Sequence, residues 1–230
     1  MLTVKESGTR GHADHGWLNA KHSFSFGTYQ DPHNVHFRAL RVINEDVVQP
    51  KRGFSTHPHS DMEIITYPIS GTLRHSDSLG HAEELTHGMI QRMTAGSGIE
   101  HSEHNGGDEP LHLLQIWIFP REKGLPPSHE SVKIPVLDQP NELHLLVSED
   151  GENGSLVMQQ DARMRGAVLH AGKSITHVPK FPNVWVQVIK GSISVNGSQA
   201  KAGDAVKGTE TELLTIEATE DSEFLLFERA

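Results

Sequence analysis

Gly53-Phe54-Ser55-Thr56-His57-Pro58-His59-Ser60-Asp61-Met62-Glu63 is the stretch on which the reading turns. Its counterpart is Gly96-Ser97-Gly98-Ile99-Glu100-His101-Ser102-Glu103-His104-Asn105. On an extended strand, residues i and i+2 project from one face. His57 and His59 can therefore both point inward, and so can His101 and Glu103. Two such strands meeting inside a barrel bring together three imidazoles and one carboxylate. That donor set suits Fe(II), Ni(II), Co(II), Mn(II), Cu(II) or Zn(II) and leaves positions open for water and substrate. A single His-x-His pair is more often a surface coincidence. Two His/carboxylate pairs, each beside glycines that permit tight turns, point to a site.

The flanking sequence reads as short strands. Phe37–Ile43, Ile64–Ile69, Leu111–Phe119, Val184–Ile189 and Ile193–Val195 are apolar or alternating. Turn signals separate such runs, among them Ser70-Gly71, His87-Gly88, Lys190-Gly191 and Ala202-Gly203. Asn196-Gly197 predicts a type I′ hairpin turn. Many short strands with glycine turns and little helical periodicity predict an all-β barrel or sandwich. The segment also repeats. Ile64 to Gly71 is echoed by Trp185 to Gly191, with the glycines 120 residues apart (191 − 71), and His87-Gly88 by Ala202-Gly203, 115 apart (203 − 88). This order predicts duplication: one barrel over residues 1–125, a proline-rich linker over 126–139, and a second barrel over 140–230.

Composition narrows the function. The chain has 230 residues, 30 acidic against 20 basic, and a formal net charge of −10. Both halves are acidic, so the electrostatic footprint of nucleic-acid binding is missing and anionic membranes would be repelled. There is no cysteine, which removes disulfides, thiolate metal sites and cysteine nucleophiles and fits a reducing compartment. The polar first residues hold no apolar segment of the signal-peptide kind. A cytoplasmic protein is expected. Histidine is over-represented, with 17 in the chain, and imidazole is the commonest metal ligand.

The spacing resembles the cupin superfamily, whose first motif is G-x5-H-x-H-x3-4-E-x6-G and whose second is G-x5-P-x-G-x2-H-x3-N. Here three residues rather than five separate Gly53 from His57, and Gly96 stands where the second motif has proline. Within the cupins the chain resembles the pirins. The resemblance lies in His22-Ser23-Phe24-Ser25-Phe26 with Tyr29-Gln30-Asp31-Pro32, Leu40-Arg41-Val42-Ile43-Asn44, His57-Pro58-His59, Gly96 to Glu103, and Leu114-Gln115-Ile116-Trp117. It implies a bicupin of two double-stranded β-helix (jelly-roll-like) barrels, with one divalent transition metal per chain in the first. Iron leads the expectation, with Ni, Co, Mn, Cu or Zn as other occupants. The implied ligands are His57, His59, His101 and Glu103. Other cupins use the first-motif glutamate, here Glu63, which shares the parity of 57 and 59; with Glu103 as ligand, Glu63 is expected to orient an imidazole. The second barrel keeps His177 but has Pro179, Asn183, Ile216 and Ala218 at the other repeat positions, so no metal is expected there.

The resemblance also implies chemistry. Bacterial pirins of this kind act on quercetin as 2,3-dioxygenases, so a flavonol or other phenolic and O2 are the expected substrates, with Glu103 as a general base for the substrate hydroxyl. The alternative is a non-enzymatic, metal-dependent regulatory module that binds a protein partner. Gln115 shares a face with Leu113 and Trp117 and either aims at the metal pocket or makes a core hydrogen bond. Phe24 and Phe26 are expected to pack the barrel. His12, His15, His22, His33 and His36 follow no motif and are expected in a solvated or crossing segment.

Overall fold

A computed structural model describes residues 2–230. No α-helix occurs among them; apart from two short 3-10 turns, the regular structure is strand. The chain divides into two compact units, Arg10–Lys133 with Met158–Gln160, and residues 2–9 with Ile134–Val157 and Asp161–Ala230. We call them the N-terminal and C-terminal barrels.

The N-terminal barrel has two sheets. The larger runs β12 (Ser128–Lys133), β9 (Met89–Thr94), β6 (Glu63–Ser70), β11 (Leu111–Ile118), β4 (Leu40–Val48), β3 (Leu18–His22), β2 (Gly11–Asp14). The smaller runs β5 (Gly53–His59), β10 (Ile99–Asn105), β7 (Thr72–Asp77), β8 (Ala82–Thr86). Every pairing in the two is antiparallel. Between them lies a cluster of Leu18, Ala20, Val48, Leu73, Leu85, Leu111 and Leu113. Gly71 makes the β6–β7 corner at φ +80, where an added Cβ would lie 2.8 Å from Leu111 Cα; only glycine takes that turn at no steric cost.

The C-terminal barrel repeats the plan. Its larger sheet runs β1 (Leu2–Lys5), β20 (Ala205–Gly208), β17 (Asn183–Lys190), β22 (Ser222–Arg229), β15 (Ala162–Leu169), β13 (His144–Ser148), β14 (Leu156–Val157). Its smaller runs β16 (Ser174–His177), β21 (Leu214–Ala218), β18 (Ser192–Val195), β19 (Ser198–Lys201). The expected hairpin joins β18 to β19, with Asn196 at φ 46 and Gly197 at φ 85, the two positive values a type I′ turn requires.

The unit boundaries differ from the expected ones in two ways. Leu2–Lys5 pairs with β20 in the C-terminal barrel, where Leu2 and Val4 pack on the apolar core. Residues 128–133, expected as linker, form edge strand β12, paired residue by residue with β9. Its Ser/His/Glu/Lys composition hides it as a strand, but an edge strand in a sheet tolerates polar residues that a central one does not. Pro126 and Pro127 stop the pairing on one side and Pro135 on the other.

Candidate metal centre

β5 and β10 are hydrogen-bonded neighbours, with His59 opposite Ile99 and His57 opposite His101. The register then shifts, and Glu103 faces Phe54. At Gly53 an added Cβ would lie 2.1 Å from the Glu103 carbonyl oxygen. Glycine is therefore needed for β5 to approach β10 this closely beside the site. β10 alternates cleanly: His101, Glu103 and Asn105 are buried and Glu100 and His104 exposed.

Three imidazoles converge. The ring centroids of His57 and His101 are 4.5 Å apart, of His57 and His59 4.8 Å, and of His59 and His101 4.9 Å. One ring nitrogen from each lies within 4.8 Å of the others. His57 Nδ1 is 2.7 Å from the Ser55 carbonyl oxygen. A carbonyl only accepts, so Nδ1 carries a proton and Nε2 is the nitrogen left for a metal. Neither ring nitrogen of buried His101 has a hydrogen-bond partner. Burial, reinforced by the neighbouring imidazoles, lowers His59 to about 4 and His101 to about 3. Neutral His59 and His101 rings gathered with His57, the His101 ring without a hydrogen-bond partner, are what a divalent cation requires and what a hydrogen-bonded core does not produce.

Glu103 follows His101 on the same strand and lines the same cavity, but its carboxylate groups with His101 and His75 and not with His57 and His59. Gln115 Nε2 donates to both its oxygens, at 2.9 and 3.1 Å, and Thr66 Oγ1 lies 3.3 Å from Oε1. Gln115 thus lines the cavity and commits its amide to hydrogen bonds with Glu103. The ligand atoms of Glu103, His101 and His75 lie within 4.8 Å of one another. His75 belongs to no motif. It is brought in by strand register alone, opposite Glu103 across the β10–β7 pair.

Glu63 lies elsewhere. It is fully buried, and its Oε2 accepts from Thr94 Oγ1 at 2.9 Å and from the Gln159 N–H at 3.2 Å. No imidazole is hydrogen-bonded to it, and the expectation that it orients one is corrected. Parity does not carry from 59 to 63, because Asp61 turns the chain at φ 50. Glu63 begins β6 in the other sheet.

The imidazoles stand at the end of a cavity of about 310 Å³. Leu18, Ala20, Phe26, Phe54 and Trp117 form apolar walls, and His22, Asn44 and Asp46 a polar side. Phe26 meets Trp117 edge to face at 5.5 Å, and Trp117 meets His59 at 5.0 Å. Phe26 and His22 therefore depart from their expected roles: Phe24 is core, but Phe26 is a cavity wall, and His22 is buried with Nδ1 2.8 Å from Asn44 Oδ1. Asp46 was not anticipated. It is 5% exposed, and its Oδ1 has no hydrogen-bond partner. Burial, with Glu103 and Glu45 nearby and only Arg10 opposing, pushes it up to about 7. Its signal is two polar residues, Asn44 and Asp46, at i and i+2 on the strand face otherwise formed by Leu40, Val42 and Val48.

Among the described residues of the C-terminal barrel no three metal-ligating side chains converge in this way. His177 Nε2 is 2.8 Å from Glu228 Oε1, and Ile216 is fully buried in apolar core.

Residues 3–118 match the pirin family and residues 145–228 match the quercetinase C-terminal cupin domain. The chain belongs to the pirin family. This pirin is 43% identical over 230 residues to a protein of Escherichia coli (strain K12) named quercetin 2,3-dioxygenase, covering 99% of this chain and 98% of the other. It is 40% identical to a pirin-like protein of Caulobacter vibrioides, with 100% of both chains covered. Its fold superposes on the crystal structure of the bacterial pirin YhhW of Escherichia coli in complex with nickel(II), with a TM-score of 0.94 and 42% identity over 100% of this chain and 99% of that one.

Proposed function

We propose that this pirin is a metal-dependent dioxygenase that cleaves a flavonol such as quercetin with O2. His57, His59, His101 and Glu103 hold one divalent metal in the N-terminal barrel. The observation that carries the reading is the convergence of three imidazoles, with the buried Glu103 two residues from His101 on the same strand, lining a cavity with aromatic walls. The names of the Escherichia coli relative and of the C-terminal domain support the substrate class. The nickel(II) in the bacterial pirin structure supports a divalent ion without choosing iron over nickel.

When bound, such a metal supplies a Lewis acid and a template for an enolic hydroxyl and O2. The chain supplies the rest. Phe26 and Trp117 flank a flat aromatic ligand, whose plane suits edge contacts of this kind. Glu103, clamped by Gln115, stands where a substrate hydroxyl would arrive and takes its proton as general base. Asp46, without a hydrogen-bond partner at Oδ1, meets a second hydroxyl of a polyphenol; a buried carboxyl lacking a partner favours a ligand that brings one. The apolar walls keep bulk water from the reacting ring.

The test is the aerobic loss of flavonol absorbance with protein loaded in turn with Fe(II), Ni(II), Co(II), Mn(II), Cu(II) and Zn(II), together with O2 consumption. Turnover with any of them, abolished by chelation and restored by the metal, is expected. Tight flavonol binding with no O2 consumed under every metal would overturn the enzyme and leave the regulatory alternative.

A further inference from the structure

Beside the centre just described, the N-terminal barrel carries a second histidine–carboxylate cluster that no motif announces. His75 and Asp77 lie at the end of β7, His81 follows in the turn to β8, and His129 projects from β12 of the other sheet. Ligand atoms of His75, Asp77 and His129 lie within 4.8 Å of one another. The side chains of His75 and Asp77 are 0% exposed, that of His129 4% and that of His81 42%. The His129 ring is stacked between the other two, 4.9 Å from His75 and 4.4 Å from His81.

The hydrogen bonds within the cluster do not use up its ligands. Asp77 Oδ1 is anchored by the backbone N–H groups of Leu79 at 2.9 Å and His81 at 3.1 Å. Its Oδ2 faces His75 Nε2 at 3.2 Å and His81 Nδ1 at 3.0 Å. His81 Nδ1 is also 3.0 Å from Oδ1; a carboxylate held by backbone donors while it faces two imidazoles is preorganised as a metal ligand. His129 Nε2 lies 2.8 Å from Glu83 Oε1, an acceptor to which it donates. Its remaining nitrogen, Nδ1, is left for the cluster, and a carboxylate on the far nitrogen is the arrangement that orients a ligand histidine. Buried His75 Nδ1 has no partner at all.

The geometry points to a second divalent transition-metal site, formed by His75, Asp77, His81 and His129, that clamps the β7–β8 hairpin to edge strand β12. Three nitrogens and one carboxylate oxygen suit Zn(II), Co(II) or Ni(II), and the part-exposed His81 is the side from which an ion enters. The cation joins one sheet of the barrel to the other, because His129 is the single member supplied by the larger sheet. One metal per chain follows from the donors missing in the C-terminal barrel; that argument does not bear on these four side chains. The inference does not depend on the dioxygenase reading.

The experiment is a Co(II) and Zn(II) titration of the chelator-stripped full chain. The readouts are bound metal per chain after desalting, the Co(II) visible spectrum, and the melting temperature. Five proteins are compared: wild type, His57→Ala/His59→Ala, His81→Ala/His129→Ala, His129→Gln, which keeps a polar side chain should the double variant fold poorly, and His57→Ala/His59→Ala combined with His129→Gln. Two equivalents are expected in wild type and one in each double variant. The His57→Ala/His59→Ala protein should still show a Co(II) spectrum and a metal-dependent rise in melting temperature. Both should disappear when His129→Gln is added. Saturation of wild type at one equivalent, with none left in His57→Ala/His59→Ala, overturns the second site while leaving the first. One equivalent in wild type that survives His57→Ala/His59→Ala but not His129→Gln overturns the first and upholds the second. A second equivalent that persists in His81→Ala/His129→Ala also overturns the assignment.

Discussion

β5 in the N-terminal barrel and β16 in the C-terminal barrel each form the edge of a four-stranded sheet of the same order. Each is paired with the strand that would carry the second half of a donor set. What they surround differs. In the first barrel β5 and β10 bring His57, His59, His101 and Glu103 to a cavity. In the second, β16 and β21 close on apolar core that includes Val184, Val186, Ile216, Phe224 and Leu226. The one histidine retained at a repeat position, His177, is spent on Glu228. The same frame thus serves either as a packed core or as a walled site, and the choice lies with a few inward-facing residues. Filling the interior gains apolar burial at roughly 25 cal/mol per Å². Leaving it open, with three imidazoles and two buried carboxyls, forgoes that gain and creates a place where a cation and a ligand can add their own.

The sharpest way to break this contrast is to remove donors from each barrel. His57→Ala with His101→Ala should reduce first-site metal content and flavonol turnover to background, whereas His177→Ala should change neither. Metal analysis and O2 uptake on both proteins decide it. Loss of the metal from His177→Ala alone would mean that the second barrel has been misread.

Next in size is the pair of buried glutamates. Glu103→Gln removes a proposed ligand and the proposed base, and a general base is worth about 100- to 10,000-fold. Glu63→Gln alters a carboxyl bonded to Thr94 and Gln159 and should leave first-site metal and turnover near wild type. The measurement is metal content after dialysis and turnover with metal restored. A Glu63→Gln protein without metal beside an active Glu103→Gln protein would show that the site follows the general cupin pattern.

Asp46→Asn tests the cavity rather than the metal. Losing a hydrogen bond between a charged carboxyl and the substrate should cost about 10- to 100-fold in kcat/KM. Stability should move the other way. Burial holds Asp46 at about 7 against an ordinary 3.8, so the native state keeps a proton that the unfolded chain has lost. The resulting penalty is absent below the unfolded value, grows as pH rises toward 7 and is full above it, at about 1.4 kcal/mol per unit. Asp46→Asn should therefore raise the urea midpoint of the metal-free protein at pH 8 and leave it nearly unchanged at pH 4. An equal effect at both values would show that Asp46 is not buried in its charged form at high pH.

The legible parts of this molecule are those written in local patterns. His57-Pro58-His59 and His101-Ser102-Glu103 declare their shared faces through a period of two, and Asn196-Gly197 declares its turn. Strands such as Ile64–Ile69 and Val184–Ile189 announce themselves by β-branched and apolar runs. The unannounced residues depend on pairing between distant strands. His75 reaches Glu103 only through β7–β10 register, and His129 reaches His75 only because a polar edge strand pairs with β9. Glu63 misleads for the opposite reason: its parity is correct in sequence, but the turn at Asp61 moves it into the other sheet. Leu2–Lys5 joins the C-terminal barrel through long-range pairing that no local signal specifies.

The smallest expected effect returns to the second barrel. Glu228 is fully buried there; burial alone would raise it, but hydrogen bonds from His177 and Arg165 prevail and hold it below the ordinary carboxylate range. A carboxyl lowered in this way stabilises the fold above its unfolded pKa and loses that contribution as pH falls through the folded value. His177→Ala removes one of three donors, leaving Arg165 Nε at 2.6 Å and the Lys180 N–H at 2.7 Å. The expected cost is about 1–2 kcal/mol at pH 7, read as a lower urea midpoint, with the cost shrinking as acid protonates Glu228. His177→Gln, able to donate from its amide, should recover part of it. Full stability in His177→Ala at pH 7 would show that Arg165 and Lys180 hold Glu228 unaided, and that the retained histidine serves neither metal nor fold.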